Sequence, residues 1–218
     1  MSLALYAHPF SSYCQKVLIA LYENATRFVL RQLGSDPTVA AEHRRLWPLA
    51  KMPVLRDGTR TVLEASCIIE YLDLHHGGPQ PMLPGTPPAA LEVRMLDRCF
   101  DCYVMTPMQK LVTDSIRAPN DRDPFGVQEA HALLDQSYAW LEGTLSGRIW
   151  AAGDQFTLAD CAAAPALFYA DWVHPIPAAL TTLRAYRARL LRRASVARCV
   201  DEARPWRPYF PPGAPDRD

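Results

Sequence analysis

The sequence predicts a small mixed α/β domain followed by an all-helical domain. Three observations carry that division. Residues 1–77 interleave short strand-like runs with helical apolar stripes. Eight of the twelve residues from Gly77 to Pro88 are glycine or proline, which marks a linker. Beyond it, every long segment carries the helical period. The expected boundaries are 1–77 for the first domain, 78–88 for the linker and 89–218 for the helical domain.

Leu3, Leu5 and the alternation through Ala7 predict a strand ended by His8-Pro9. A helix follows at once. Cys14, Val17, Leu18 and Leu21 fall on one apolar stripe, and Ser12-x-x-Gln15 fits a capping box at its start. Arg27 to Gln32 reads as a second strand with Phe28 and Leu30 on one face, and a strand-helix-strand unit of this kind winds with parallel strands. Asp36-Pro37 supplies the cap and first-turn pair for a helix to about Trp47. Pro53 to Arg56, Asp57-Gly58 and Thr61 to Leu63 form a hairpin, because Asp-Gly readily adopts the positive dihedrals of a tight turn. A helix from about Ala65 to His76 then stops at Gly77-Gly78.

Helical period marks Ala89 to Arg117, Gly126 to Leu145, Leu158 to Trp172, Pro177 to Leu191 and Ser195 to Arg204. Leu158 to Ala170 is apolar on all sides, which predicts a central helix. Thr157-x-x-Asp160 caps it, and Pro165 is expected to kink or end it. The tail from Pro205 is expected to be irregular.

Lysine plus arginine and aspartate plus glutamate both number 23, so no net field draws the chain to nucleic acid or an anionic membrane. No apolar run reaches the roughly 20 residues that span a bilayer, and Met1 to Tyr6 shows no secretion signal. A cytoplasmic protein with a small-molecule partner is expected. The six cysteines, Cys14, Cys67, Cys99, Cys102, Cys161 and Cys199, lie scattered through helical segments, which suits reduced thiols. Cys99-Phe-Asp-Cys102 has the spacing of half a zinc site without a second half, so no metal is expected.

The chemistry is expected where the first helix begins. Its free amides and partial positive charge stabilise an anion there, and a thiolate is such an anion. A free thiol has a pKa of about 8.5, so a hydrogen bond and a helix end raise its nucleophilic fraction. With Ser12 engaged as the cap, the Ser11 hydroxyl remains to donate that bond; the plainer alternative is that both serines are turn and cap residues. Met52-Pro53 opens a strand beside this helix, a setting for a cis peptide bond that turns the Met52 backbone toward an extended peptide.

Four runs together resemble the cytosolic glutathione transferases: Tyr6-Ala7-His8-Pro9-Phe10-Ser11-Ser12-Tyr13-Cys14; Trp47-Pro48-Leu49-Ala50-Lys51-Met52-Pro53-Val54-Leu55; Leu63-Glu64-Ala65-Ser66 leading to Glu70-Tyr71-Leu72; and Ala152-Gly153-Asp154-Gln155-Phe156-Thr157-Leu158-Ala159-Asp160. The Ser11-Ser12 pair is most similar to the zeta class of that family. The resemblance implies a thioredoxin-like N-terminal domain, an all-α helical-bundle C-terminal domain, a homodimer, and glutathione as co-substrate at the domain junction.

Residue roles follow from the resemblance. Ser11 is the expected catalytic residue, holding the thiolate. Met52, after Lys51 and before Pro53, pairs with the cysteinyl backbone, and Glu64 with the amides of Ala65 and Ser66 takes the γ-glutamyl end. His43 and Lys51 are candidates for the glycyl carboxylate. The sequence departs from the family pattern at Ala65, where serine is usual, and at Trp47 and Ala50, where asparagine and glycine are common; Ser66 is left to supply the missing hydroxyl.

An apolar or electrophilic second substrate is expected against Tyr103, Met105 and Met108, with Phe168, Trp172 or Trp206 closing the pocket. The alternatives are Tyr6 as the activating hydroxyl, Cys14 as a redox thiol with the spacing of a dithiol motif, and His8 as a substrate ligand. The expected activity is conjugation of glutathione to small electrophiles, as in detoxification. Glutathione-dependent cis-trans isomerisation and a non-catalytic interaction module are the rival readings.

Overall fold

The computed structural model describes residues 3–218. Four strands, β1 (Leu3–Ala7), β2 (Val29–Gln32), β3 (Val54–Asp57) and β4 (Arg60–Leu63), form one mixed sheet in the order β2-β1-β3-β4. β1 runs parallel to β2 and antiparallel to β3, and β3 pairs antiparallel with β4 across the Asp57-Gly58 turn, where Gly58 has φ +57°. Helices α1 (Ser12–Glu23), α2 (Pro37–Leu46) and α3 (Ala65–His75) complete this thioredoxin-like unit. The expected face of β2 is corrected in part: Phe28 packs against Tyr22, but Val29 and Leu30 are exposed, because β2 is an edge strand.

The helical part comprises α4 (Pro87–Cys99), α5 (Thr106–Ser115), α6 (Pro124–Thr144), α7 (Leu158–Val173), α8 (Thr181–Arg192) and α9 (Ala194–Ala203). The single helix expected over 89–117 is divided by a π-helical turn at Phe100–Met105. α8 begins at Thr181, four residues later than expected, and the tail carries a short 3₁₀ turn, Arg204–Tyr209. Two residues of the glycine- and proline-rich segment are anchored by Asp73, whose carboxylate accepts from the amides of Met82 and Leu83.

Every residue of α7 from Leu158 to Trp172 is buried, and the helix packs against α1, α4, α5 and α8. Thr157 and Asp160 form its capping box, with Asp160 also accepting from the Ala151 amide and the Tyr186 hydroxyl. Pro165 does not end α7, which continues to Val173 within the packing of its neighbours. α1 inserts Val17, Leu18, Ile19 and Leu21 into the shared core. Each such side chain, fully buried, contributes about 1.5–3 kcal/mol, which fixes the position of its first turn against the helical part. Among the described residues no helix is long and apolar enough to cross a membrane.

Candidate active site

The turn from β1 into α1 is built by its own backbone. Phe10 donates its amide to His8 Nδ1 at 3.1 Å, and Ser11 donates its amide to the His8 carbonyl at 3.0 Å. Ser11 is thereby held at φ −84°, ψ 123° as the N-cap of α1, and its carbonyl accepts from the Gln15 amide at 2.8 Å. This corrects the Ser12-Gln15 capping box. Ser12 is the first helical residue and buried, while the Gln15 side chain donates to the Pro9 carbonyl at 2.9 Å and the Tyr169 hydroxyl at 3.1 Å. The Ser11 hydroxyl is spared from capping for a different reason: Ser11 caps with its backbone only, and its side chain makes no capping hydrogen bond.

Ser11 faces a cavity of about 430 Å³. Its walls come from Phe10 and Ser12, from Met108, Gln109, Val112 and Thr113 of α5, and from Tyr169, Tyr209, Phe210 and Pro211. On the other side of the same helical turn, Tyr13 lines a second cleft of about 270 Å³. There Trp47, Lys51, Met52 and Pro53 meet Glu64, Ala65 and Ser66, with Arg98 and Asp101 entering from the helical part. The Met52-Pro53 peptide bond is cis. Lys51 through Pro53 and Glu64 through Ser66, assigned together from sequence, thus gather around one cleft.

Glu64 precedes α3 at φ +65°, and Ala50 turns at φ +52° just before Lys51. Both are left-handed positions that glycine occupies without strain. His43 is buried and turned away from the cleft, with its Nε2 at 2.8 Å from the Lys51 carbonyl, so it steadies the loop instead of lining it.

Beneath this cleft lies a charge cluster that no periodicity announces. Lys16 of α1 is 1% exposed; it forms ion pairs with Asp97 and, at 2.8 Å, with Asp101 Oδ2, and donates to Ser66 Oγ at 2.9 Å. Ser66 in turn donates to Asp97 Oδ2 at 2.7 Å, so its hydroxyl is committed within the protein and does not replace the one missing at Ala65. Arg98 reaches Asp101 Oδ2 at 3.1 Å. The other oxygen of Asp101, Oδ1, is buried with no hydrogen-bond partner among the described residues. Burial holds the Asp101 carboxyl above its usual pKa, opposed mainly by Lys16. The π-helical turn carries Asp101 and ends one residue before α5, at a position where such turns often mark functional sites.

The competing nucleophiles and activators are occupied. Tyr6 donates to Glu42 at 3.1 Å and lines neither cavity, and burial raises its pKa. Cys14 is fully buried, which pushes its thiol up to about 11 despite the Ser11 hydroxyl within hydrogen-bonding reach. Burial likewise pushes Tyr13 up to about 12. His8 accepts a backbone amide and meets the edge of Trp206 at 4.5 Å. All six cysteines are free, and among the described residues no group of three or more His, Cys, Asp and Glu side chains is arranged to hold a metal.

Of the side chains expected around the second substrate, only Met108 lines the cavity beside Ser11. Met105 and Phe168 are core residues, and Trp172 packs behind Phe210. Tyr103 is exposed on the opposite side of its helical turn, in a groove with Trp140. The π-helical turn shifts the helical register here.

Two family models match this chain. The glutathione S-transferase N-terminal domain model matches residues 5–80, and the C-terminal domain model matches residues 124–189. The chain belongs to the glutathione S-transferase family. A glutathione S-transferase of Methylobacterium radiotolerans, solved in complex with glutathione sulfonate, is 28% identical with a TM-score of 0.79, covering 92% of this chain and 95% of the other. A glutathione S-transferase of Methylobacillus flagellatus with glutathione bound shares the fold at 23% identity and a TM-score of 0.78, over 91% and 98% of the two chains. A stringent starvation protein A homolog of Coxiella burnetii is 25% identical over 203 residues, 92% of either chain.

The residues that sequence reasoning missed are Tyr13, Trp47, Arg98 and Asp101 in the cleft, and Phe10, Gln109, Thr113 and Tyr209 in the neighbouring cavity. Nothing local set Arg98 and Asp101 apart, because Glu92, Arg94 and Asp97 carry charge in the same helical segment.

Proposed function

We propose that this chain is a glutathione transferase in which the Ser11 hydroxyl holds the glutathione thiolate for attack on an electrophilic carbon. The single observation that carries this reading is the Ser11 hydroxyl, which makes no capping hydrogen bond at the start of α1 and lines one cavity while Tyr13 of the same turn lines the other. Glutathione carries one ammonium and two carboxylates, and the cleft offers complementary charges: Glu64 and Asp101 for the ammonium, Lys51 and Arg98 for carboxylates. The amides of Ala65 and Ser66 begin α3, where they favour a carboxylate. Met52 offers its backbone to the cysteinyl unit.

In the reaction the thiol proton leaves to solvent, and the first-turn amides of α1 and the Ser11 hydroxyl stabilise the thiolate. Its sulfur bonds to the electrophilic carbon as the leaving group departs with its electron pair. Placement of both reactants beside one turn lowers the entropic part of the barrier. The electrophile cavity is mixed in character, with Phe10, Tyr169 and Phe210 beside Gln109, Thr113 and Ser12. Among the described residues no cationic side chain lines it, which disfavours a small unsaturated diacid and so favours conjugation over isomerisation.

The fate of glutathione tests this choice. Incubation with a general electrophile is expected to consume glutathione stoichiometrically and to yield a thioether adduct by mass spectrometry. Recovery of intact glutathione with an isomerised diacid instead supports the isomerase reading; failure to bind glutathione at all supports an interaction module.

We also propose that the chain works as a homodimer in the cytoplasm. Leu91 and Met95 of α4, Tyr103 of the π-helical turn and Trp140 of α6 are large apolar residues left exposed, more than an isolated surface needs. A second copy covering them gives a solution mass of twice 24.4 kDa; a mass of 24.4 kDa at micromolar concentration contradicts this.

A further inference from the structure

Away from both active-site cavities, the end of α7, the start of α8 and the tail enclose a cleft of about 540 Å³ lined by Arg184, Arg187, Arg217, Asp171 and Asp218. Cationic groups outnumber their partners there. Asp171 alone serves two of the three arginines: it is ion-paired with Arg217, lies 3.3 Å from Arg187 Nη2, and also accepts the Ile176 amide at 2.8 Å. Asp218 is drawn to the other side, bridging Arg204 and Arg207. Among the described residues Arg184 has only the Ile176 carbonyl, at 3.3 Å.

Arg187 is the unusual member. Its Nε donates to the Leu167 carbonyl at 3.3 Å, which fixes the guanidinium, yet its buried Nη2 has no hydrogen-bond partner among the described residues. The geometry to Asp171 is that of an ion pair without a hydrogen bond. An unpaired buried guanidinium proton is costly unless a ligand oxygen meets it. Burial, and then the like charges of Arg217 and Arg184, lower the Arg187 pKa against the pull of Asp171. A neighbouring anion compensates for the lost hydration and for the like charges.

We propose that this cleft binds a small polyanion bearing phosphate or carboxylate groups, held by Arg184, Arg187 and Arg217. The planar forks of arginine match both kinds of oxyanion. The site shares no lining residue with the glutathione cleft or the electrophile cavity, so an occupant here is compatible with glutathione bound at the same time.

Titration calorimetry on the full chain at fixed ionic strength, with pyrophosphate in one arm and citrate in the other, tests the proposal. Saturable binding of either anion is expected, and the preferred arm identifies phosphate or carboxylate as the recognised group. Arg187 is left intact because it packs into the core against Phe168. The double variant Arg184→Gln, Arg217→Gln is expected to keep its far-ultraviolet dichroism and to bind at least about tenfold more weakly. Three results overturn the proposal: no saturable binding of either anion, equal affinity in the variant, or loss of anion binding when S-hexylglutathione fills the glutathione cleft.

Discussion

Replacing Ser11 by alanine is expected to lower kcat/KM with a general electrophile by roughly 10- to 100-fold, the loss of one hydrogen bond to a charged group worth about 1.5–3 kcal/mol. The Kd for glutathione is expected to change less than about threefold, because the bond matters chiefly once the thiol has ionised. The rising limb of the pH-rate profile shifts to higher pH, since the Ser11 hydroxyl lowers the pKa of the bound thiol and its removal returns that pKa toward the free value of about 8.5. Equal rates for variant and parent remove Ser11 from the mechanism. A rise in Kd that accounts for the whole loss makes it a binding residue instead.

The second large effect belongs to Lys16. Lys16→Met keeps the length of the side chain but leaves the buried carboxylates Asp97 and Asp101 without their shared cation. Removing one partner of a buried ion pair costs about 3–5 kcal/mol, which for a chain of this size lowers Tm by on the order of 10 °C. The pH dependence follows from the Asp101 carboxyl, whose folded pKa is raised above its unfolded value. A group shifted this way favours the folded state most below its unfolded pKa, and that contribution is lost as pH rises through the folded pKa. Without Lys16 the upward shift grows. The deficit of Lys16→Met is therefore expected to be larger at pH 8 than at pH 5 in thermal scans of variant and parent. A deficit independent of pH, or a Tm equal to the parent's, contradicts the assignment of Lys16 as the neutralising cation.

Local chemistry was legible in the sequence where a residue's partner lies within a turn or two. The stripe Cys14-Val17-Leu18-Leu21, the Asp57-Gly58 hairpin and the Thr157-Asp160 capping box all stand as expected. So does the division into a mixed α/β part and a helical part.

What the sequence hid depends on distant partners. Lys16 resembles any solvated helix lysine until Asp97 and Asp101, more than eighty residues away, fold against it. The roles of Ser11 and Ser12 were assigned from a local Ser-x-x-Gln spacing, but Gln15 is claimed by Tyr169 across the domain junction. Pro165 reads as a helix breaker in isolation and is carried within α7 by its surroundings. The electrophile cavity was the least legible part. A six-residue π-helical turn displaces the face on which Tyr103 falls, and the tail residues Tyr209 and Phe210 reach the cavity from a segment with no pattern of its own.

The most direct test of the central claim is the titration of the thiol of bound glutathione, followed by thiolate absorbance near 240 nm in parent and Ser11→Ala proteins. The account predicts a midpoint at least about one pH unit below the free-thiol value of about 8.5 in the parent, and a return toward that value in the variant. A parent midpoint at the free-thiol value, or the same depressed midpoint in both proteins, contradicts it.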